Sequence, residues 1–315
     1  MQKWNIYRLL AILILSIPNK GNTQELELLK TSYFPFYPSA STLAYHNERL
    51  YVMGDDAVQL LVLDKEHKPV DSLRLFKGTE KRVAKDIKAD IEASAFIQKK
   101  KETFLVLFSS FSSPSRKQVF AINTNTQKVK RDFRRFKHKP ELPAIKEWNI
   151  EGAACAGDKL IFSNRANYTH KTNHLLVMNA NLKKGFQKNS FSVISIQLPK
   201  TENVIGISGL TYLKNEDLLL FTATTEITDN AYTDGEIGDS FLGYITNLSA
   251  KLKDSSMRVD KLLNLTPVLR QKTLQKIESV AVEEVTGNKA ILHLAADNDN
   301  GESTIFKLRF TLPAE

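Results

Sequence analysis

Three glutamates in this chain share the same local sequence. Glu92, Glu151 and Glu278 each follow an isoleucine and precede small residues, in "ADIEASAF", "NIEGAACA" and "QKIESVAV". Carboxylates that gather around one point repel each other and raise each other's pKa values unless a cation lies between them. If the fold brings the three glutamates together, their oxygens form a site for a hard cation such as Ca²⁺, which takes about six to eight oxygen ligands.

Zinc is less suited to this pattern, because neither histidine nor cysteine accompanies the three glutamates. A second interpretation stays open, in which one or more of the acids pair with lysine or face water in a wet channel. The choice between the two depends on the elements that position the glutamates.

Those elements repeat along the chain. Five segments, beginning at intervals of 51, 59, 57 and 70 residues, each contain a strand of small residues, a polar turn and an apolar strand. Their first residues are Ser41, Glu92, Glu151, Ser208 and Glu278. Strands repeated at a period near fifty are typical of propeller blades. The sequence therefore predicts an all-β fold, a five-bladed β-propeller.

The innermost strand of each predicted blade has one face of small residues. The positions one and three residues after each start hold Thr42 and Ala44, Ala93 and Ala95, Gly152 and Ala154, Gly209 and Thr211, and Ser279 and Ala281. Alternate residues of a strand share a face, and small side chains allow neighbouring blades to approach near the axis. The last repeat lacks an outer strand, which "ELELLKTSY" (residues 25–33) supplies by closing the ring between the two chain ends.

In a closed propeller, the five starting residues lie at equivalent positions around the channel. We therefore expect Ser41, Glu92, Glu151, Ser208 and Glu278 to surround a central Ca²⁺. Polar residues also end the second strand of each repeat and open onto one face, where ligand sites form readily. They are Asp55 and Asp56, Ser109 and Ser110, Asn164, Arg165 and Asn167, Thr225 and Glu226, and residues 297–299.

The chain resembles the calcium-activated nucleotidases, the five-bladed apyrases. The order Ser, Glu, Glu, Ser, Glu over five blades is similar to their calcium-binding ring, and "STLAYHNERLYVMGDD", "EWNIEGAACAGDKLIFSNRAN" and "GISGLTYLKNEDLLLFTATTE" resemble their first, third and fourth blades. The Ile-Glu-Gly and "ADNDNG" elements are also similar to the esterase-like phytase propellers. The resemblance implies an uncharacterised exported bacterial family within this broad group.

The chain departs from the nucleotidase pattern in two blades. It has no lysine at the end of the fourth-blade strand, "FTATTE", and a single arginine, Arg165, where the third blade of the nucleotidases has two. Phosphate chemistry depends on such positive charge. The departure favours a binding module that takes an unknown anionic small molecule or a protein at its open face. The alternative is a calcium-dependent phosphoric ester or anhydride hydrolase with Asp55 or Asp56 as base and Arg165 as anion clamp. Arg165 could instead be a surface residue paired with an acid.

The first residues resemble an export signal. Lys3 and Arg8 precede an apolar run over residues 9–17 that is too short to span a bilayer. We expect residues 1–24 to be a signal peptide, residues 25–315 to be a single propeller domain, and the mature protein to be periplasmic or extracellular with no transmembrane segment. A buried first strand is the alternative interpretation of the apolar run.

Positive charge is concentrated in one segment. Residues 128–139, "KVKRDFRRFKHK", carry seven basic residues against one acid. This segment accounts for the net positive charge of the predicted mature chain. A contact with a polyanion and a solvated outer strand both fit this segment. One local basic segment does not make a nucleic-acid-binding protein, and we expect the chain to bind no nucleic acid. Cys155 is the single cysteine, so no internal disulfide forms, and we expect a monomer.

Overall fold

The computed structural model describes residues 25–77, 80–132, 140–181, 191–228, 230 and 235–314. Within these ranges the chain is a five-bladed β-propeller, as the repeats predicted. The predicted signal peptide and residues 133–139 of the basic segment lie outside the described residues.

The first chain segment, β1 (Leu26–Phe34), belongs to the last blade. Blade 1 contains β2 (Ala40–His46), β3 (Arg49–Gly54), β4 (Gln59–Asp64) and β5 (Pro69–Arg74). Blade 2 contains β6 (Ile91–Lys99), β7 (Glu102–Ser109), β8 (Val119–Asn123) and β9 (Val129–Asp132). Blade 3 contains β10 (Ile150–Ala156), β11 (Lys159–Asn164), β12 (Asn173–Asn179) and β13 (Ser192–Gln197).

Blade 4 contains β14 (Ile205–Leu213), β15 (Leu218–Ile227), β16 (Glu236–Ile245) and β18 (Lys261–Asn264). Between its last two strands, β17 (Ser256–Arg258) crosses to blade 3 and pairs in parallel with β13. Blade 5 contains β19 (Ile277–Thr286), β20 (Lys289–Asp297), β21 (Ser303–Thr311) and β1. No helix in the described ranges could cross a membrane, since α1 (Leu248–Lys251) and α2 (Thr266–Leu269) are single turns.

The ring closes between the two ends of the described chain. Strand β1 pairs antiparallel with β21, from Leu26 opposite Phe310 to Phe34 opposite Ser303. The predicted closing strand is therefore confirmed, with bounds shifted by one residue. Leu26 and Phe34 are both buried at the ends of an otherwise alternating strand, so the closure contributes apolar contacts as well as hydrogen bonds.

A chain of buried polar side chains joins blade 5 to blade 1. His67 Nε2 lies 2.8 Å from His293 Nδ1, His293 Nε2 lies 2.9 Å from Glu283 Oε2, and His67 Nδ1 lies 2.9 Å from Ser32 Oγ. Although burial opposes it, hydrogen bonds from His293 and Lys307 lower the pKa of Glu283 to about 2. Glu283 is therefore ionised and only accepts hydrogen bonds. It follows that His293 Nε2 donates to Glu283, His67 Nε2 donates to His293 Nδ1, and Ser32 Oγ donates to His67 Nδ1.

The core lies between neighbouring blades, where the faces of the sheets pack on each other. Phe108 of blade 2 and Phe162 of blade 3 meet edge to face with ring centroids 4.9 Å apart. Near the axis the blades approach more closely. A Cβ on Gly152 would lie 2.3 Å from the Ser208 carbonyl oxygen of the next blade, so only glycine fits there. This contact explains the face of small residues that the sequence showed.

The basic segment lies partly on the outer strand of blade 2. Arg131 of β9 places its guanidinium 5.1 Å from the ring centroid of Phe76 and 5.2 Å from that of Phe120. The exposed side chain of Arg131 therefore makes cation–π contacts with both rings.

Candidate functional site

Each predicted ring residue lies at a β-bulge of an innermost strand. The pairing register with the second strand shifts at Ser41 in blade 1, at Glu92 in blade 2, at Glu151 in blade 3, at Ser208 and Gly209 in blade 4, and at Glu278 in blade 5. A bulge leaves one residue unpaired and turns its side chain away from the regular alternation. Five equivalent bulges explain why these five side chains share one channel.

The channel opens into a charged pocket of about 70 Å³, which we call the mouth. Its ionisable lining consists of Asp55, Lys85, Lys88, Asp90, Glu92, Arg116, Glu151, Arg165, Glu226, Lys276, Glu278, Asp297 and Asp299. Eight of these side chains are acids and five are bases, so the mouth is negative when all of them are ionised. Ser41 lines it as well, and its hydroxyl donates to the Ser39 carbonyl oxygen at 2.9 Å.

Arg165 crosses the mouth from blade 3. Its Nη1 lies 2.8 Å from Ser208 Oγ and 3.2 Å from Glu278 Oε2, and its Nη2 lies 2.9 Å from Glu226 Oε2. Glu151 Oε2 is farther, at 3.5 Å. Arg165 is 6% exposed, so it is not the surface arginine of the alternative interpretation. Burial opposes its charge, but the surrounding carboxylates raise the pKa of Arg165, so it remains ionised.

A glycine of blade 4 makes room for this arginine. A Cβ added to Gly206 would lie 2.5 Å from Arg165 Nε and 2.7 Å from its Cγ. A side chain at this position would therefore push Arg165 away from its acceptors.

Lys276 supplies a second cation to the same carboxylates. Its Nζ lies 3.3 Å from Glu278 Oε1, 3.5 Å from Glu226 Oε2 and 3.7 Å from Asp299 Oδ2. Burial opposes ionisation of Glu278, but Lys276 and Arg165 lower its pKa. Lys276 thus places positive charge next to the end of the fourth-blade strand, where the sequence pattern has no lysine.

The opposite side of the mouth, next to blades 1 and 2, has a carboxylate cluster. Asp55, Asp90 and Glu92 each offer an oxygen, and the three oxygens lie within 4.8 Å of one another. Lys88 pairs with Asp55 and lies 2.9 Å from Asp90 Oδ1, and Arg116 Nη1 lies 3.0 Å from Asp90 Oδ2. The two bases therefore pair with Asp55 and Asp90, the first two acids of the cluster.

Two carboxylates of the cluster have oxygens without hydrogen-bond partners among the described residues. Asp55 Oδ1 is buried and has no hydrogen-bond partner. Within the described part of the chain, the Glu92 carboxylate has no hydrogen bond and no ion pair within 4.0 Å. This contrasts with Glu151, which accepts a hydrogen bond from Asn149 Nδ2 at 2.8 Å.

Burial and neighbouring charges shift the pKa values of these acids upward. Burial raises the pKa of Asp55 to about 6, with Lys88 opposing the rise and Asp56 adding to it. Burial also raises the pKa of Glu151 to about 7, opposed by Arg165 and assisted by Glu278. For Glu92, burial and the charges of Asp90 and Glu151 raise the pKa well above its ordinary value. The mouth thus holds carboxyl groups that gain protons near neutral pH.

The predicted bases separate in the structure. Asp55 faces the mouth, whereas Asp56 does not line it and instead accepts a hydrogen bond from Arg82 Nε at 2.6 Å. Ser110, another predicted strand-end residue, donates to Asp90 Oδ2 at 2.5 Å. Geometry therefore favours Asp55 over Asp56 for any role in the mouth.

Sequence analysis missed several mouth residues, although a signal for some of them was present. Asp90, Asn149 and Lys276 each lie two residues before a ring position. Residues two positions apart on a strand share a face, so the alternation that identified the ring residues also predicts these three side chains on the same face. No such periodicity marks Lys88 or Arg116, which come from loops.

A family model matches residues 37–310 and describes a family of unknown function, DUF6929. The chain belongs to the DUF6929 family. No curated protein matches this family member.

Two solved structures are similar to this DUF6929 protein, and the first supports its propeller fold. Glutaminyl cyclase from Myxococcus xanthus is similar to it with a TM-score of 0.53 at 12% identity, over 92% of this chain and 97% of that chain. Virginiamycin B lyase from Staphylococcus aureus has a TM-score of 0.36 at 11% identity, over 92% of this chain and 100% of that chain. These structures do not single out the calcium-activated nucleotidases or the phytases within the propeller fold.

Proposed function

We propose that this DUF6929 protein is an exported binding propeller whose mouth holds Ca²⁺ and receives a ligand. The observation that carries the proposal is the cluster of Asp55, Asp90 and Glu92, whose oxygens lie within 4.8 Å of one another. Export is supported by the sequence of residues 1–24 and by nothing in the described structure.

The donor set fits calcium better than a softer metal. Asp55, Asp90 and Glu92 offer only oxygens, and Asp55 Oδ1 is buried without a partner. On the other side of the channel, Arg165 already neutralises Glu278 and bonds to Ser208. We therefore propose that the cation lies close to blades 1 and 2, and not at the centre of the five-residue ring that the sequence predicted. To admit it, Lys88 must withdraw from Asp55 and Asp90.

The charge of the mouth limits the ligand. When all of these groups are ionised, its eight acids outnumber its five bases, so the mouth repels an anion unless a cation is bound. Arg165 contacts three acids at 2.9–3.5 Å and so does not offer a free anion clamp. An anionic ligand, as the sequence suggested, therefore requires the cation to be present, whereas a cationic ligand does not.

Thermal unfolding with chelator and with added Ca²⁺ tests the metal site. Calcium that binds only the folded state stabilises it by about 2.7 kcal/mol at a hundred times its Kd. Glu92→Gln removes a half-buried carboxylate that lies close to Asp55 and Asp90, so this variant should be more stable than the wild type in chelator and should respond less to Ca²⁺. Glu284→Gln, at an exposed position of β19, is the matched control. Unchanged melting curves and no metal in the purified protein would exclude the site.

The alternative function is hydrolysis, and the pKa of Asp55 is the observation that favours it. A carboxyl group with a pKa near 6 can accept a proton from water at neutral pH. The assay panel consists of nucleoside diphosphates, phytate, phosphomonoesters, lactones and, because the Myxococcus enzyme is a glutaminyl cyclase, a peptide with N-terminal glutamine. Asp55→Asn should abolish any activity found. A folded, calcium-loaded protein that is inactive on the whole panel favours the binding module.

A further inference from the structure

The far end of the channel contains a pocket of about 140 Å³ that is lined mostly by apolar side chains, and we call it the cup. Five half-buried side chains line it at equivalent positions, four residues after each ring residue. They are Tyr45, Phe96, Cys155, Tyr212 and Val282. Since the five innermost strands start at the same level of the channel, these side chains form a second ring, and three of its members are aromatic.

No aspartate, glutamate, lysine, arginine or histidine lines the cup, in contrast to the mouth. The other lining residues come from the same strands and are mostly alanine, leucine and valine. Among the hydroxyl groups of the wall, Ser94 Oγ lies 2.5 Å from Thr42 Oγ1 and is therefore already paired. Burial raises the pKa of the Cys155 thiol to about 11, so this side chain is neutral as well. The cup is thus an uncharged site.

The cup and the mouth are separate sites. A strand rises about 3.3 Å per residue, so four residues place the second ring roughly 13 Å from the first. The residues between them are small and pack blade against blade, as the close approach at Gly152 shows. The two sites share no lining residue.

We propose that the cup binds one small uncharged aromatic molecule. An apolar protein cavity of about 150 Å³ holds benzene, which sets the size class of the ligand. Aromatic rings pack favourably against the edges and faces of Tyr45, Phe96 and Tyr212. An anionic ligand would lose its hydration without finding a counter-ion in the lining, which selects against it. The proposal is independent of calcium and of the function of the mouth.

Toluene is the probe, and the single cysteine is the reporter. Bound toluene should slow the modification of Cys155 by a small thiol reagent several-fold and should raise the melting temperature. Nuclear Overhauser effects from the toluene methyl group to the ring protons of Phe96 and Tyr212 should locate it in the wild-type protein. Benzoate, an anionic aromatic probe of similar size, should have neither effect.

Cavity-filling variants provide the second test. Ala154→Leu and Ala44→Leu add side-chain volume to the wall from two different blades, and either one should abolish the toluene effects. Ala121→Leu on β8, outside the cup, is the control and should leave them unchanged. If both cup variants fail to fold, the Overhauser contacts in the wild type decide. Unchanged Cys155 reactivity, absent contacts, or stronger binding of benzoate than of toluene would overturn the proposal.

Discussion

Arg165 of blade 3 and Glu278 of blade 5 form an ion pair across the channel, with Nη1 and Oε2 3.2 Å apart. The two residues are separated by 113 positions in the chain and by the whole of blade 4. Both side chains are 5% exposed. The pair therefore ties non-adjacent blades together at the place where the sequence predicted only carboxylates and hydroxyls around a metal.

Removal of this arginine should destabilise the protein. Arg165→Met leaves Glu278 and Glu226 buried with Lys276 as their remaining base, and breaking a buried pair costs about 3–5 kcal/mol. Denaturant unfolding measures the change. Arg309→Met removes a surface pair with Glu27 and should cost less than about 1 kcal/mol. Adding Glu226→Gln to Arg165→Met should recover part of the loss. An Arg165→Met protein as stable as the wild type would contradict the ion-pair assignment.

Stability in chelator should depend on the protonation of Glu151. Its pKa rises on folding from 4.5 to about 7, so its contribution is fully present below pH 4.5 and is lost as the pH rises to about 7. Relative to Glu151→Gln, the wild type should lose up to about 1.4 kcal/mol per pH unit across this window. Denaturant unfolding of both proteins at several pH values gives the difference. A difference that is constant from pH 4.5 to 7 would argue against a buried carboxyl at this position.

The histidine pair between blades 5 and 1 should show the opposite pH dependence. Burial and the neighbouring His293, Lys30 and Lys307 lower the pKa of His67 to about 3. Its neutral form stabilises the folded state fully above pH 6.5, and this contribution is lost as the pH falls toward 3.

Comparison of the wild type with His67→Gln measures this effect. The advantage of the wild type should shrink as the pH is lowered from 6.5, by up to about 1.4 kcal/mol per pH unit. His170→Gln, in the β11–β12 connection, is the control outside this interface and should leave the slope unchanged. Equal slopes for wild type and His67→Gln would show that the imidazole is not buried in solution.

Loss of the closing strand should open the ring. A chain that begins at Phe36 lacks β1 and exposes the β21 edge together with the buried contacts of Leu26 and Phe34. We expect such a chain to unfold at a lower denaturant concentration and to aggregate through the free edge. A synthetic peptide of residues 25–35, added in excess, should restore part of the stability. Cooperative unfolding at the wild-type midpoint without β1 would show that closure is dispensable.

The sequence determined the number of blades, the closing strand and the ring positions. These features depend on local patterns: the repeat of small and apolar strands, and the alternation of faces within each strand. Glu92, Glu151 and Glu278 could be assigned to one channel because every blade places its innermost strand at the same distance from the axis.

The tertiary structure alone decided which acid faces which base. Lys88 and Arg116 reach the mouth from connections whose paths no strand periodicity describes. Arg165 pairs with Glu226 and Glu278 because three blades bring these side chains within hydrogen-bond distance, although they are far apart in the chain. Charge pairing in a closed ring depends on distances between blades, and a repeat pattern contains no information about those distances. For this reason the carboxylates of blades 1 and 2, rather than the whole ring, became the candidate cation site.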